Sequence, residues 1–292
     1  MIFQKIAIFG KLNGHHSWDL IKKLITHFQP EGKTFYLDEV SCHDFPAEEF
    51  GVEILPRPIL VKKAEMAVVI GGDGSFLNAA RSVVDAEIPI LGINLGRIGF
   101  LTDVSPENML PTLEDIFKGI YDCEERNLLN IAIEKNGEAV FRDIAFNDVV
   151  IHKHDSPRMI EFESFIDGRF FNHHRSDGLI ISTPTGSTAY ALSAGGPILM
   201  PEIDAISLVS INPHTISNRP VVISGKSVIT LHPYENCRGE AQVICDGQVV
   251  YQTDHNHVTR IIRHPKFIKM LHPKGHDHFQ ILRAKLNWGT QP

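Results

Sequence analysis

Residues 66–75 decide what kind of fold this chain can adopt. Met66-Ala67-Val68-Val69-Ile70 is an apolar, largely β-branched run that reads as a buried strand. It ends in Gly71-Gly72-Asp73-Gly74-Ser75, after which Phe76, Leu77, Ala80, Val83 and Val84 recur at helical spacing. Strand, glycine turn and helix in direct succession belong to an α/β sheet. Glycines permit positive φ and close approach of a ligand, and the helix N-terminus offers N–H groups to an anion, so the turn suits a phosphate. Asp73 does not suit a passive cradle, because its carboxylate repels a bound phosphate. It fits a group that accepts a proton from a hydroxyl being phosphorylated, or one that holds a divalent cation bridging phosphates. Both readings point to phosphoryl transfer. A tight turn in which Asp or Ser caps the helix is the other reading of the same residues.

The preceding and following segments repeat the grammar. Residues 6–10 read as a first strand, followed by a loop with Asn13 and Gly14; Ser17 is expected to cap a helix whose Trp18, Ile21, Leu24, Ile25 and Phe28 share one face. Residues 35–37 give a second strand, 46–58 an irregular connection, and 89–93 a buried strand leading into Asn94-Leu95-Gly96-Arg97-Ile98-Gly99-Phe100-Leu101. Alternating strands and helices predict a parallel sheet, with both glycine loops at the carboxyl ends of its strands. Ser105-Pro106-Glu107 has the chemistry of a helix start, and Gly119 that of its stop.

After about residue 125 the pattern changes to short strand-like runs, at 128–133, 139–146, 149–152, 159–166, 179–182, 206–211, 221–224, 228–232 and 241–245. Asn136-Gly137, Asp167-Gly168 and Asp246-Gly247 are dipeptides favoured in two-residue hairpins. Residues 126–275 are therefore expected to form a mostly β, sandwich-like domain and residues 1–125 an α/β domain with a parallel sheet. Phe279, Leu282 and Leu286 have helical spacing, so the segment 276–292 is expected to return to the first domain as a helix.

Composition narrows the partners. A formal charge of −7 argues against a general nucleic-acid or anionic-membrane binder, so an anionic ligand needs a local site. No apolar run approaches the roughly 20 residues that cross a bilayer. No signal segment is recognisable, and Cys42, Cys123, Cys237 and Cys245 form no CxxC pair; a cytoplasmic location is expected. His272, His276 and His278 match no helical zinc spacing and are expected at the surface.

The β half holds a second unusual stretch, Arg175 to Pro197, in which a buried strand runs into Thr185, Ser187, Thr188, Tyr190 and Ser193 among glycines. So many hydroxyls beside exposed backbone suit a polar, sugar-bearing ligand, although a capped loop has similar composition. Asn147-Asp148 breaks an apolar stretch, either as a ligand contact or as a bend. Asp246-Gly247 alone reads as a hairpin turn, and Arg158 and Arg175 as surface cations able to face a phosphate. The chain has no GxxxxGK[ST] loop, no HRD or DFG set, and no GxGxxG after its first strand.

Taken together, Gly71-Gly72-Asp73-Gly74-Ser75, the 94–101 loop, Asn147-Asp148, the run from Arg175 to Pro197 and Cys245-Asp246-Gly247-Gln248 resemble, in order and over essentially the whole chain, the NAD kinases of bacteria. The GGDG element alone is shared with diacylglycerol, sphingosine and 6-phosphofructo-type kinases; the long run at 177–197 is far more specific. The resemblance implies an α/β domain and a β-sandwich with an active site between them, in a homodimer or homotetramer. It implies phosphorylation of the 2′-hydroxyl of NAD+ by ATP with a divalent cation, Mg2+ or Mn2+, giving NADP+ and ADP. Asp73 would be the base, and Gly71, Gly72, Gly74 and Ser75 would carry the ATP phosphates. Asp73, Gly74, Asn147, Asp148, Arg158, Arg175, Asp177, Thr188, Ala189, Tyr190, Ala191, Leu192, Ser193 and Gln248 would bind NAD+. Many relatives carry Glu where this chain has Asp148, and position 158 varies. An arginine at position 175 resembles members that prefer NAD+ over NADH. A lipid kinase would need a membrane-facing apolar or basic patch, which the sequence does not show. A non-catalytic dinucleotide sensor would gain nothing from Asp73.

Overall fold

The computed structural model describes residues 2–11, 16–96, 98–154, 158–234 and 241–289. Asn13, Gly14, Arg97 and Cys237, together with the last three residues of the 276–292 segment, lie outside them. The chain divides into two units, Met1–Glu125 with Ile268–Pro292, and Arg126–Phe267.

In the first unit a seven-stranded sheet has the order Glu53–Leu55, Thr34–Asp38, Lys5–Phe9, Met66–Ile70, Ile90–Ile93, Ile268–His272, Asp122–Arg126. The pairings from Glu53–Leu55 through Ile268–His272 are parallel. The central strands are buried on both faces, which is why they read as continuous apolar runs rather than alternating ones. Ile6, Ile8, Val68 and Ile70 pack with Ile21, Leu24 and Phe28 of helix His16–Phe28 and with Met109, Leu113 and Ile116 of helix Met109–Phe117. The strand order reverses between Lys5–Phe9 and Met66–Ile70. In an open α/β sheet that reversal opens a crevice at the carboxyl ends of the strands, and the glycine turn at 71–74 begins there.

The second unit is a sandwich of two six-stranded sheets with antiparallel pairings. Leu129, Ile131, Phe162, Leu231 and Ile261 of one sheet meet Val149, Ile151, Leu179, Ile181 and Val243 of the other in a single core. The strand Gly178–Ser182 also buries its opposite face, where Ile180, Val150 and Val209 pack against Ala191 of the short helix Tyr190–Ser193. The predicted hairpin turns at 136–137 and 167–168 have both residues at positive φ, as a two-residue turn of the favoured twist requires. At 246–247 both φ are also positive, but Gln248 joins the turn, because Cys245 pairs with Val249.

Several expectations change. The connection at 46–58 contains a helix Ala47–Phe50, an edge strand Glu53–Leu55 and the start of helix Arg57–Lys63; a three-residue edge strand is too short to show a period. Ser17 lies inside its helix and is buried rather than capping it. Ser105-Pro106-Glu107 forms a turn before the helix, which begins at Met109. The helix His278–Leu286 forms, capped by Asp277, but Ile281 and Leu282 are its buried apolar residues and Phe279 is 54% exposed. Residues 268–272, placed with the β half by sequence, form a strand of the first sheet. His272 and His278 are buried rather than at the surface, and the His276 side chain is 7% exposed, the turn after Ile268–His272 folding His272 and His276 inward onto Asp103 and Glu124. Among the described residues no helix is long and apolar enough to cross a membrane.

Burial ranks these positions. Ile181→Ala is expected to lower the unfolding free energy by about 2–5 kcal/mol, and Phe279→Ala to change it by no more than about 0.5 kcal/mol, in urea unfolding of the two variants.

Candidate functional site

The glycine turn in the first unit is organised by its carboxylate. Asp73 is the first residue of helix Asp73–Val83, whose N-cap, Gly72, makes no side-chain hydrogen bond. Its carboxylate does not cap the helix either. Asp73 Oδ2 accepts from Phe100 N at 3.0 Å, and Oδ1 accepts from Leu101 N at 3.0 Å and from Thr102 Oγ1 at 3.2 Å. The two glycine loops thus meet through this one side chain. Gly99 makes the contact possible, since a Cβ there would stand 2.1 Å from Asp73 Oδ1. Asn94 steadies the loop by accepting from Gly96 N and donating to the Thr102 carbonyl.

None of Gly71, Gly72 and Gly74 has positive φ, so the sequence-based reason for these glycines is corrected. A Cβ on Gly71 would meet Ser75 Oγ at 2.5 Å, whereas one on Gly72 or Gly74 would meet nothing within 4 Å. Packing within the chain does not require glycine at 72 and 74. The space beside both is open, as bare backbone at a helix N-terminus would need to be for an anion to approach it.

In the second unit a cavity of about 480 Å³ lies on the outer face of the sheet that contains Asp148–Lys153 and Ala241–Cys245. The cross-strand pairs Val150 with Ile244 and His152 with Gln242 contribute to it, together with Asn147, Asp148, Ala189, Tyr190, Asp246 and Gly247. Apolar Val150 and Ile244 beside polar neighbours suit a flat heterocycle carrying hydrogen-bonding groups. Tyr190 is 44% exposed and offers an open aromatic face.

Asn147 and Asp148 are gripped from two sides. The Asp246 carboxylate accepts from the N–H groups of Phe146, Asn147 and Asp148 at 2.8, 2.7 and 3.2 Å. Thr183 Oγ1 donates to the Phe146 and Asn147 carbonyls, and Gly186 packs so tightly that a Cβ would stand 2.1 Å from the Asn147 carbonyl oxygen. Burial pushes the Asp148 carboxyl up to about 7, and the nearby Asp246 carboxylate adds to the rise.

Of the residues singled out by sequence, Asn147, Asp148, Ala189 and Tyr190 share this cavity. Ala191 is in the core beneath it, and Leu192 and Ser193 continue the same short helix. Thr188 Oγ1 donates to the Thr185 carbonyl, and Ser187 is fully buried, bonded to Pro184 and Leu199; much of the hydroxyl content therefore builds the loop. Arg175 lies at a different cavity and pairs with Glu161 at 3.2 Å. Asp177 pairs with Lys153 at 2.8 Å and accepts from Asn212, and these partners hold its carboxyl below the usual range. Arg158 and Gln248 do not line the cavity. Val150, His152, Gln242 and Ile244 were missed, yet a signal existed. Once Asp148 is taken as a ligand contact on a strand, positions 150 and 152 share its face.

Comparison with known proteins adds the following. The ATP-NAD kinase N-terminal domain matches residues 55–121, and the ATP-NAD kinase C-terminal domain matches residues 146–272. An NAD kinase of Hydrogenovibrio crunogenus is 61% identical over 290 residues, covering 99% of this chain and 100% of that one. Among solved structures, a yeast NADH kinase complexed with NADH superposes with a TM-score of 0.88 at 23% identity, covering 99% of this chain and 89% of that one. An NAD kinase from Archaeoglobus fulgidus in complex with ATP gives a TM-score of 0.71 at 25% identity, over 97% and 98% of the two chains.

The raised Asp148 carboxyl has a measurable sign. The folded chain binds that proton more tightly than the unfolded chain, whose carboxyl titrates near its ordinary value of about 3.9. The stabilising contribution is complete below about pH 4 and is lost as pH rises through about 7. Relative to Asp148→Asn, the parent protein is therefore expected to lose stability across that window, as read from urea midpoints at each pH.

Proposed function

The chain belongs to the ATP-NAD kinase family, a kinase transferring phosphate to NAD+ to give NADP+, and we propose that Asp73 is the base of that transfer. In this reading the 2′-oxygen of the adenosine ribose attacks the γ-phosphorus of ATP, the bond from that phosphorus to the β-bridging oxygen breaks, and ADP leaves. The hydroxyl proton passes to Asp73. The observation that carries the assignment is the orientation of Asp73 by Phe100 N, Leu101 N and Thr102 Oγ1 beside a turn open to a ligand. A carboxylate has about four lone-pair sites, and these three bonds leave one on Oδ2 for the incoming proton. A ribose hydroxyl does not ionise at neutral pH, so a positioned base is worth about 10²–10⁴-fold in rate.

Gly71, Gly72, Gly74 and Ser75 are assigned to the phosphates of ATP, with the N–H groups of the turn as donors. A divalent cation such as Mg2+ or Mn2+, carried by those phosphates, would neutralise charge on the transferred group. The cavity holding Asn147, Asp148 and Tyr190 is assigned to the adenosine part of NAD+, with Asn147 and Asp148 bonding to base edge or ribose and Tyr190 stacking. Thr188 to Ser193, Gly74, Arg158, Arg175, Asp177 and Gln248 complete the assignment by their match to the family pattern. A cytoplasmic homodimer or homotetramer, with the α/β part at 1–125 and the NAD+-binding part following it, belongs to the same proposal.

The test is NADP+ formation from NAD+, ATP and Mg2+. Asp73→Asn is expected to cut kcat by about 10²-fold or more while NAD+ binding is retained. Gly99→Ala forces the Asp73 carboxylate aside and is expected to lower kcat by about 10²-fold in a folded protein. An unchanged rate in Asp73→Asn overturns the base assignment; tight NAD+ binding by the parent protein without turnover favours a sensor. Tyr190→Ala is expected to raise KM for NAD+ more than it lowers kcat, because its stacking acts in binding.

A further inference from the structure

The two histidines at and just after the end of strand Ile268–His272 form a cluster that the phosphoryl-transfer reading does not use. His272 ends the strand Ile268–His272, and the following turn, closed by His276 N donating to the Pro273 carbonyl, brings His276 back over it. The two rings stack with centroids 3.8 Å apart and planes 25° from parallel. Asp103 Oδ2 lies 2.8 Å from His272 Nδ1 and 2.9 Å from His276 Nδ1. On the other edge of the rings stands Glu124, its Oε2 3.7 Å from His272 Nε2 and its Oε1 3.7 Å from His276 Nε2. The side chains of His272, His276 and Asp103 are 1%, 7% and 7% exposed and that of Glu124 21%.

We propose that His272, His276 and Glu124 bind a divalent transition-metal ion of the zinc type, with Asp103 holding both rings in position. A carboxylate accepting at Nδ1 fixes each imidazole as the tautomer that carries its lone pair on Nε2, and metal-ligating histidines are regularly braced by a carboxylate in this way. Both Nε2 atoms then face the oxygens of Glu124, an acceptor facing acceptors. At 3.7 Å they are too far apart for a hydrogen bond. Among the described residues, His272 Nε2 is buried with no hydrogen-bond partner. Protonating both rings would supply donors but would stack two cations face to face. A metal ion resolves the conflict by accepting from all three groups. Two bonds of about 2.1 Å meeting at a tetrahedral angle separate their ligand atoms by about 3.4 Å, close to the spacing found here. Glu124 places one oxygen 3.7 Å from each Nε2 atom, so these three groups already stand at ligand-sharing distance before any ion arrives. Imidazole with carboxylate selects zinc, cobalt or a similar ion over Mg2+ and Ca2+, which take oxygen ligands. This ion is therefore distinct from the one that travels with ATP. Asp103 follows Thr102, which bonds Asp73, so an ion here would also stiffen the loop that orients Asp73.

The test is equilibrium dialysis of the full chain against Zn2+, with metal content measured per chain, and titration with Co2+, whose visible absorption reports its coordination. The expected result is about one Zn2+ retained per chain, a rise in Tm on Zn2+ addition, and Co2+ bands of a four-coordinate complex. Glu124→Gln and His276→Gln are each expected to weaken Zn2+ binding at least tenfold; Glu124 is partly exposed, so its variant keeps the fold as judged by circular dichroism. No retention of Zn2+ or Co2+ above the buffer level by the parent protein overturns the proposal. Equal retention by the parent and both folded variants also overturns it.

Discussion

Three hydrogen bonds onto Asp73 tie the end of one βα turn to the loop after the next strand, and much of the first unit exists to make them possible. The parallel pairing of Met66–Ile70 with Ile90–Ile93 puts both loops at the same edge of the sheet. The strands need helices against them to stay dry, which the apolar faces of His16–Phe28 and Met109–Phe117 supply. Gly99 then removes the one side-chain carbon that would keep the carboxylate out. A carboxylate held by two backbone donors and a hydroxyl has its orientation set by the fold itself, without waiting for a ligand.

The second unit solves a comparable problem with a different carboxylate. Asp246 gathers three consecutive N–H groups at the start of Asp148–Lys153, where the chain leaves one sheet for the other. Those donors would otherwise lack strand partners next to a cavity. A residue that reads as a hairpin turn thus also fixes Asn147 and Asp148. Burial, with the neighbouring negative charge adding to it, raises the Asp148 carboxyl to about 7.

The parallel α/β grammar, the sandwich and the glycine turn were legible because each rests on local signals: β-branched runs, helical spacing and turn dipeptides. The candidate site residues legible in the sequence, Asp73, Asn147, Asp148 and Tyr190, are polar or aromatic groups standing where local structure alone gives them no reason to be. What stayed hidden depends on distant partners. The strands Asp122–Arg126 and Arg169–Ser176 are strongly polar and are held by their neighbours in the sheet rather than by their own pattern. Spacing along the chain marked His272 and His276 as unlike a helical zinc motif. It carried no trace of Asp103 and Glu124, contributed from about 150 or more positions earlier.

The strand Ile268–His272 inserts between Ile90–Ile93 and Asp122–Arg126, so the first unit is built from both ends of the chain while the sandwich is built from one continuous stretch. During synthesis the sandwich can complete its core as soon as its own residues have emerged, but the α/β sheet has to wait with an unfilled slot beside Ile90–Ile93. For that interval the strand offers open backbone N–H and C=O groups to any other chain, the same exposure that makes sheet edges a hazard. The sheet of the first unit can thus be completed only after residues 268–272 have been made.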